Sequence, residues 1–125
     1  MPSIESKMRQ YIADETTKPV YMNIAPPDAE PPYIVQRLIT KSNRGMGVVQ
    51  ARLQYDIFGE DPSGYAEMKQ LAIDVNTAVE SAQDDLDDIT ASYRVSEMES
   101  YDHSVNYHRT ILDAMVFYDE RPQFD

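Results

Sequence analysis

Between Val49 and Ile57 the chain alternates without a break. Val49, Ala51, Leu53, Tyr55 and Ile57 are apolar, and Gln50, Arg52, Gln54 and Asp56 stand between them. Successive strand residues point to opposite sides of a sheet, so this period of two requires a β-strand with one side in a core. The second side meets water or a polar partner. The rest of the chain has to be arranged around that sheet.

Upstream, residues 33–40 (Tyr-Ile-Val-Gln-Arg-Leu-Ile-Thr) are β-branched and aromatic, the composition of another strand. Lys41, Ser42, Asn43, Arg44, Gly45, Met46 and Gly47 interrupt it with two of the four glycines. Strand, glycine-containing loop and strand predict an antiparallel hairpin over about 33–58. Residues 26–32 hold four prolines, which exclude both helix and central strand. Earlier still, Val20, Met22 and Ile24 alternate as a short strand. Ser3 is placed to cap a first helix, with Ile4, Met8, Tyr11 and Ile12 at helical spacing and an end around 14–18.

Downstream, Asp61-Pro62 predicts a helix start, because an acid caps the free N–H groups and proline suits the first turn. Tyr65, Met68, Leu71, Ala72, Val75, Ala78 and Val79 form one apolar stripe, giving an amphipathic helix over 62–82. The aspartates at 84, 85, 87 and 88 oppose the helix dipole and end it. Ile89, Ala91, Tyr93 and Val95 alternate, then the phase slips at Met98, which predicts a bulge near Ser96 and Glu97. After a turn at 102–106, the run 107–118 is apolar in both phases from Ile111 to Phe117, as in a strand covered on both sides. The expected architecture is α+β: an antiparallel β-sheet of about four main strands with two helices packed on one face. A single domain over 1–125 is expected, with residues 119–125 a loose tail.

Composition narrows the function. With 125 residues, 42% hydrophobic and 26% charged, the chain suits one soluble core. No run reaches the roughly 18 apolar residues of a membrane span, and the N-terminus has no apolar signal segment, so synthesis in a cytoplasm is expected. Cysteine is absent, which removes disulfides, thiolate nucleophiles and Cys-bound zinc. The net charge is −11 and it is lopsided: residues 1–73 hold nine acids and eight bases, residues 74–125 thirteen acids and three bases. Such a second half repels phosphate, so adhesive nucleic-acid binding is disfavoured while passive proximity to DNA is not.

The candidate chemistry is thin. Neither Asp84 nor Asp85 starts a calcium loop, because Leu86 or Ile89 falls where a ligand is needed. His103 and His108 with Asp102 lack a third ligand at regular spacing. There is no Gly-x-Ser-x-Gly elbow, and Glu97 and Glu99 share a strand face without a sequence sign of a pocket. Gly45-Met46-Gly47 lacks the third glycine of a phosphate loop and reads as a hairpin tip with Arg44 and Met46 as contact residues. No catalytic residue, metal or cofactor is expected.

Three segments carry a resemblance. Pro32-Tyr33-Ile34-Val35-Gln36-Arg37, Val49-Gln50-Ala51-Arg52-Leu53-Gln54-Tyr55-Asp56-Ile57-Phe58 and Tyr65-Ala66-Glu67-Met68-Lys69-Gln70-Leu71-Ala72 are similar to the first long strand, the Arg-x-Gln-x-Asp strand and the following helix of the tail-completion or tail-terminator proteins of tailed bacteriophages. The match covers about residues 31–80. The resemblance implies a virion structural protein, not an enzyme, made in the host cytoplasm and forming a ring, generally sixfold, at the head-proximal end of the tail. Its implied partners are copies of itself (a homohexamer), the tail tube protein and the head-tail connector or neck proteins, with DNA passing through and no membrane.

On that reading, ring, tube or neck contacts fall to Lys41, Ser42, Asn43, Arg44, Gly45, Met46 and Gly47, to Gln50, Arg52, Gln54 and Asp56, and to Ile111, Met115 and Phe117. Asp84, Asp85, Asp87 and Asp88 are the candidate lumen-facing acids. Other readings are a neck or head-completion protein, for which a mostly helical fold is expected, and a small cytosolic protein-binding module, for which a monomer or dimer is expected.

Overall fold

The computed structural model describes residues 3–60, 64–104 and 106–119. Its elements are α1 (Ile4–Thr16), β1 (Val20–Met22), β2 (Tyr33–Gly45), β3 (Val48–Glu60), α2 (Tyr65–Asp85), β4 (Ile89–Asp102) and β5 (Tyr107–Asp119). This is the helix, short strand, hairpin, helix, hairpin order that the periodicities predict. The sheet runs β1-β2-β3-β5-β4. The four long strands are antiparallel, and β1 adds a fifth that pairs in parallel with Ile34–Gln36. The architecture is therefore α+β with a mixed sheet.

Local chemistry explains most boundaries. Ser6 N–H donates to Ser3 Oγ at 3.1 Å, and Thr17, at φ 57, ends α1 in a left-handed turn. α2 runs from Tyr65 with Gly64 before it, and the expected start at Asp61-Pro62 lies outside the described residues. A Cβ on Gly59 would stand 2.6 Å from Met68 Cβ, so the end of β3 crosses the first turn of α2 at a distance only glycine allows. The helix ends at Asp85, where the Leu86 N–H still reaches the Ala82 carbonyl at 2.9 Å.

The core lies between the helices and one side of the sheet. Val49, Ala51, Leu53, Tyr55 and Ile57 of β3 are buried there with Leu112, Ala114 and Val116 of β5. α2 contributes Met68, Leu71, Val75 and Val79, and α1 contributes Ile4, Met8 and Ile12. Burying each large side chain contributes about 1.5–3 kcal/mol. Gln36 is buried on this side too, and its amide donates to the Glu5 carbonyl of α1 at 2.8 Å.

Three local expectations change. The segment Lys41–Gly45 does not leave the strand: β2 continues to Gly45, and a two-residue turn of Met46 (φ 57) and Gly47 (φ 82) reverses the chain. Positive φ at both turn residues gives the twist that suits an antiparallel hairpin. The bulge in β4 falls between Arg94 and Ser96, one residue earlier than expected, and a second lies between Ile89 and Ala91. In β5, Thr110, Leu112, Ala114, Val116 and Tyr118 are buried, whereas Ile111, Met115 and Phe117 on the other side are half-buried. Among the described residues the strand is thus covered on one side only. The expected tail beyond Asp119 lies outside the described residues.

Candidate assembly surface

Both helices pack against the same side of the sheet, so its second side is open among the described residues. Register places Gln50, Arg52, Gln54, Asp56 and Phe58 of β3 there, beside Arg109, Ile111, Asp113, Met115 and Phe117 of β5. Beyond β5 come Tyr93, Ser96 and Met98 of β4, and beyond β3 come Tyr33, Val35 and Arg37 of β2. The bulge at Val95 has a consequence here. It returns the strand to phase so that Tyr93 (opposite Met115) and Met98 (opposite Ile111) face the same way.

The open side divides into two zones. The polar zone centres on Asp56, which is fully buried rather than solvated, contrary to the simple alternation. Arg109 donates to it at 2.6 Å, Gln54 at 2.9 Å, and Arg37 lies 3.7 Å away. Arg109 also sits over the Phe58 ring, which stacks on Tyr33 at 5.0 Å. Arg52 donates to Asp113 at 3.1 Å, as does the Ser96 hydroxyl. Three arginines against two aspartates leave this zone close to neutral, unlike the rest of the second half of the chain.

The apolar zone is Tyr93, Met98, Ile111, Met115 and Phe117, with Tyr93 and Phe117 rings stacked at 6.4 Å. Tyr93 is 46% exposed and Met98 61%. Apolar groups of this size on a sheet face without a covering layer mark a contact surface. Of the predicted contact residues, the structure joins Gln50, Arg52, Gln54, Asp56, Ile111, Met115 and Phe117 on this one face. It keeps Lys41–Gly47 apart, at the far end of the β2–β3 hairpin, where Met46 is 86% exposed.

Arg37, Arg109, Tyr93 and Met98 were not foreseen as part of the surface. Their membership depends on which strands are neighbours, and β5 inserts between β3 and β4. The phase slip at Met98 was the one sequence sign of it.

The acidic cluster is placed elsewhere, at the C-terminal end of α2. Asp84 and Asp87 are exposed. Asp85 accepts from the Tyr11 hydroxyl at 2.5 Å, and Asp88 pairs with Lys7, so two of the four acids hold α1 to the end of α2 and to the turn that follows it. Burial and the Asp85 carboxylate push the Tyr11 hydroxyl up to about 12.

A shallow, open concavity of about 480 Å³ lies between α2 and the β4–β5 hairpin, lined by Tyr65, Met68, Glu99, Ser100, Tyr101 and His108. His108 meets Tyr65 and Tyr101 edge-on at 4.8 and 5.0 Å. Glu99 pairs with Lys69 and accepts from Tyr65, and the lysine holds its carboxyl below the usual range. Among the described residues no group of three His, Asp or Glu side chains is placed to hold a metal ion, and no helix is long and apolar enough to cross a membrane.

No protein-family model and no curated protein matches this sequence. Among solved structures, the chain is similar to one from the virion of a native gene transfer agent particle. The TM-score is 0.68 at 14% identity, over 94% of this chain and 95% of that chain. The likeness is one of fold and runs nearly end to end.

Proposed function

We propose that this chain is a structural protein of a phage-like virion, where it forms a ring that ends the tail tube and joins the tail to the head. The observation that carries the virion assignment is the near-complete fold likeness to a chain of a gene transfer agent virion. The sequence resemblance over residues 31–80 adds the tail-terminator role, and the open sheet face supplies a surface that the tube or neck proteins would cover. In this reading the ring is sixfold. Its partners are further copies of the chain, the tail tube protein and the neck proteins. The hairpin tip around Arg44 and Met46 reaches the neighbouring ring, and DNA passes along the acids at the end of α2.

Particles assembled without this chain test the role directly. Electron micrographs are expected to show tubes of uncontrolled length and heads without tails. Normal-length tails joined to heads in its absence would overturn the proposal.

A further inference from the structure

The two long edges of the sheet carry opposite charge. β1 covers β2 only along Ile34–Gln36, so, among the described residues, positions 37–45 of β2 have no strand neighbour on their outer edge. This stretch contains Arg37, Lys41 and Arg44 and no acid, and every residue in it is exposed, with Arg37 3.7 Å from Asp56 and Lys41 3.9 Å from Glu5 inside the chain. At the opposite edge, β4 has β5 on one side and, among the described residues, no strand on the other. Its stretch 95–101 contains Glu97 and Glu99 and no base, and Val95–Ser100 are exposed, with Glu97 3.7 Å from Arg94 and Glu99 paired with Lys69 inside the chain. Unpaired strand edges offer N–H and C=O groups to another chain, and natural proteins guard them when no pairing is intended.

We infer that copies of this chain join edge to edge, the 37–45 stretch of one pairing antiparallel with the 95–101 stretch of the next. This deepens the ring reading by naming the contact between subunits. The two edges differ, so the contact is head-to-tail, which gives a ring when the rotation between copies closes on itself. β2 and β4 run in opposite directions within the sheet, and rotation about an axis along the strands preserves that relation.

Side-chain direction limits the register. Lys41 lies opposite Ala51 and shares the helix-bearing side, as do Glu97 and Glu99, which lie opposite Leu112 and Thr110. Keeping the two faces continuous therefore sets Lys41 across from Glu97 or from Glu99. Within one copy, Lys41 is level with Ser92, through Ala51 and Val116. Because Val95 is bulged, Glu97 and Glu99 lie four and six residues from Ser92 along the sheet, so each new copy is displaced by roughly 13 or 20 Å at ~3.3 Å per residue. Four strands per copy advance the ring by roughly 19 Å at ~4.8 Å each. The resulting tilt of about 35° or 45° falls where closed sheets lie, at about 35–45°.

The chain has no cysteine, so introduced pairs report the contact cleanly. Ser42 and either Ser96 or Met98 would face each other on the open side in the two allowed registers. Oxidised Ser42→Cys/Ser96→Cys or Ser42→Cys/Met98→Cys protein should give a ladder of covalent oligomers on a non-reducing gel. The single-cysteine variants should give none. Adding Lys41→Glu should cut the ladder yield several-fold, and native mass measurement of the same samples reports the assembly state. A closed ring without a ladder from either pair overturns the edge pairing while leaving the ring itself standing. Monomer alone overturns both, and a ladder indifferent to Lys41→Glu overturns the role given to charge.

Discussion

Asp56 shows what a single residue contributes to the open face. Its carboxylate is fully buried, yet it lies on the side of the sheet that the helices do not cover. Arg109 and Gln54 satisfy it, and Arg37 adds a third contact. Removing one partner of a buried pair strands the other, so Asp56→Ala should cost about 3 kcal/mol in urea unfolding. A change below about 0.5 kcal/mol would show that the arginines are fully hydrated without it. Alternation in the sequence identified the face of Asp56 but not its burial, since Arg109 lies fifty-three residues away and enters only through the β3–β5 pairing.

Tyr11 gives a pH-dependent prediction. Its hydroxyl titrates near the ordinary value when unfolded and at about 12 when folded, because burial and the bond to Asp85 favour the neutral form. A raised value means that this contribution is complete below about pH 10 and is lost as pH climbs towards 12. Tyr11→Phe should therefore remove part of the alkaline fall in melting temperature between pH 10 and 12, while buried Tyr55 keeps the remainder. An unchanged alkaline slope would count against the Tyr11–Asp85 contact.

At the scale of elements, local patterns were legible wherever the period was clean. β3, the stripe of α2 and the cap of α1 follow directly from residue spacing. The start of α2 and the length of β2 were not, because tertiary contacts set them. Gly59 and Gly64 fix where the chain turns into the helix, and the Met46-Gly47 turn lets a polar stretch remain in the sheet. The pattern of Ile111–Phe117 reads as covered on both sides, and among the described residues it has only one cover. We expect assembly to supply the second. Phe117→Asp should weaken docking of the assembled ring on the tail tube or neck, measured by co-sedimentation with tails, while leaving the edge-joined subunits together. Unaltered docking would remove the apolar zone from that contact.

At the scale of the whole molecule, charge and shape separate. The open face is nearly neutral, whereas exposed acids lie along α2 and at its end, including Asp74, Glu80, Asp84 and Asp87. The count of acids was visible in the sequence, but their gathering on the helix layer was not, because it depends on which side of the sheet α2 packs. Asp85 and Asp88 brace α1, so only Asp84 and Asp87 test a DNA path without disturbing the fold. Particles carrying Asp84→Lys with Asp87→Lys should retain DNA on release, more so at low salt. Unchanged release would take these acids off the path.

Closure of this chain on copies of itself is measured most directly by native mass spectrometry and particle imaging of the isolated protein, with imaging of assembled tails. A closed ring, sixfold in count, is expected. Monomer alone in solution, with no ring of this chain in the particles, would contradict it.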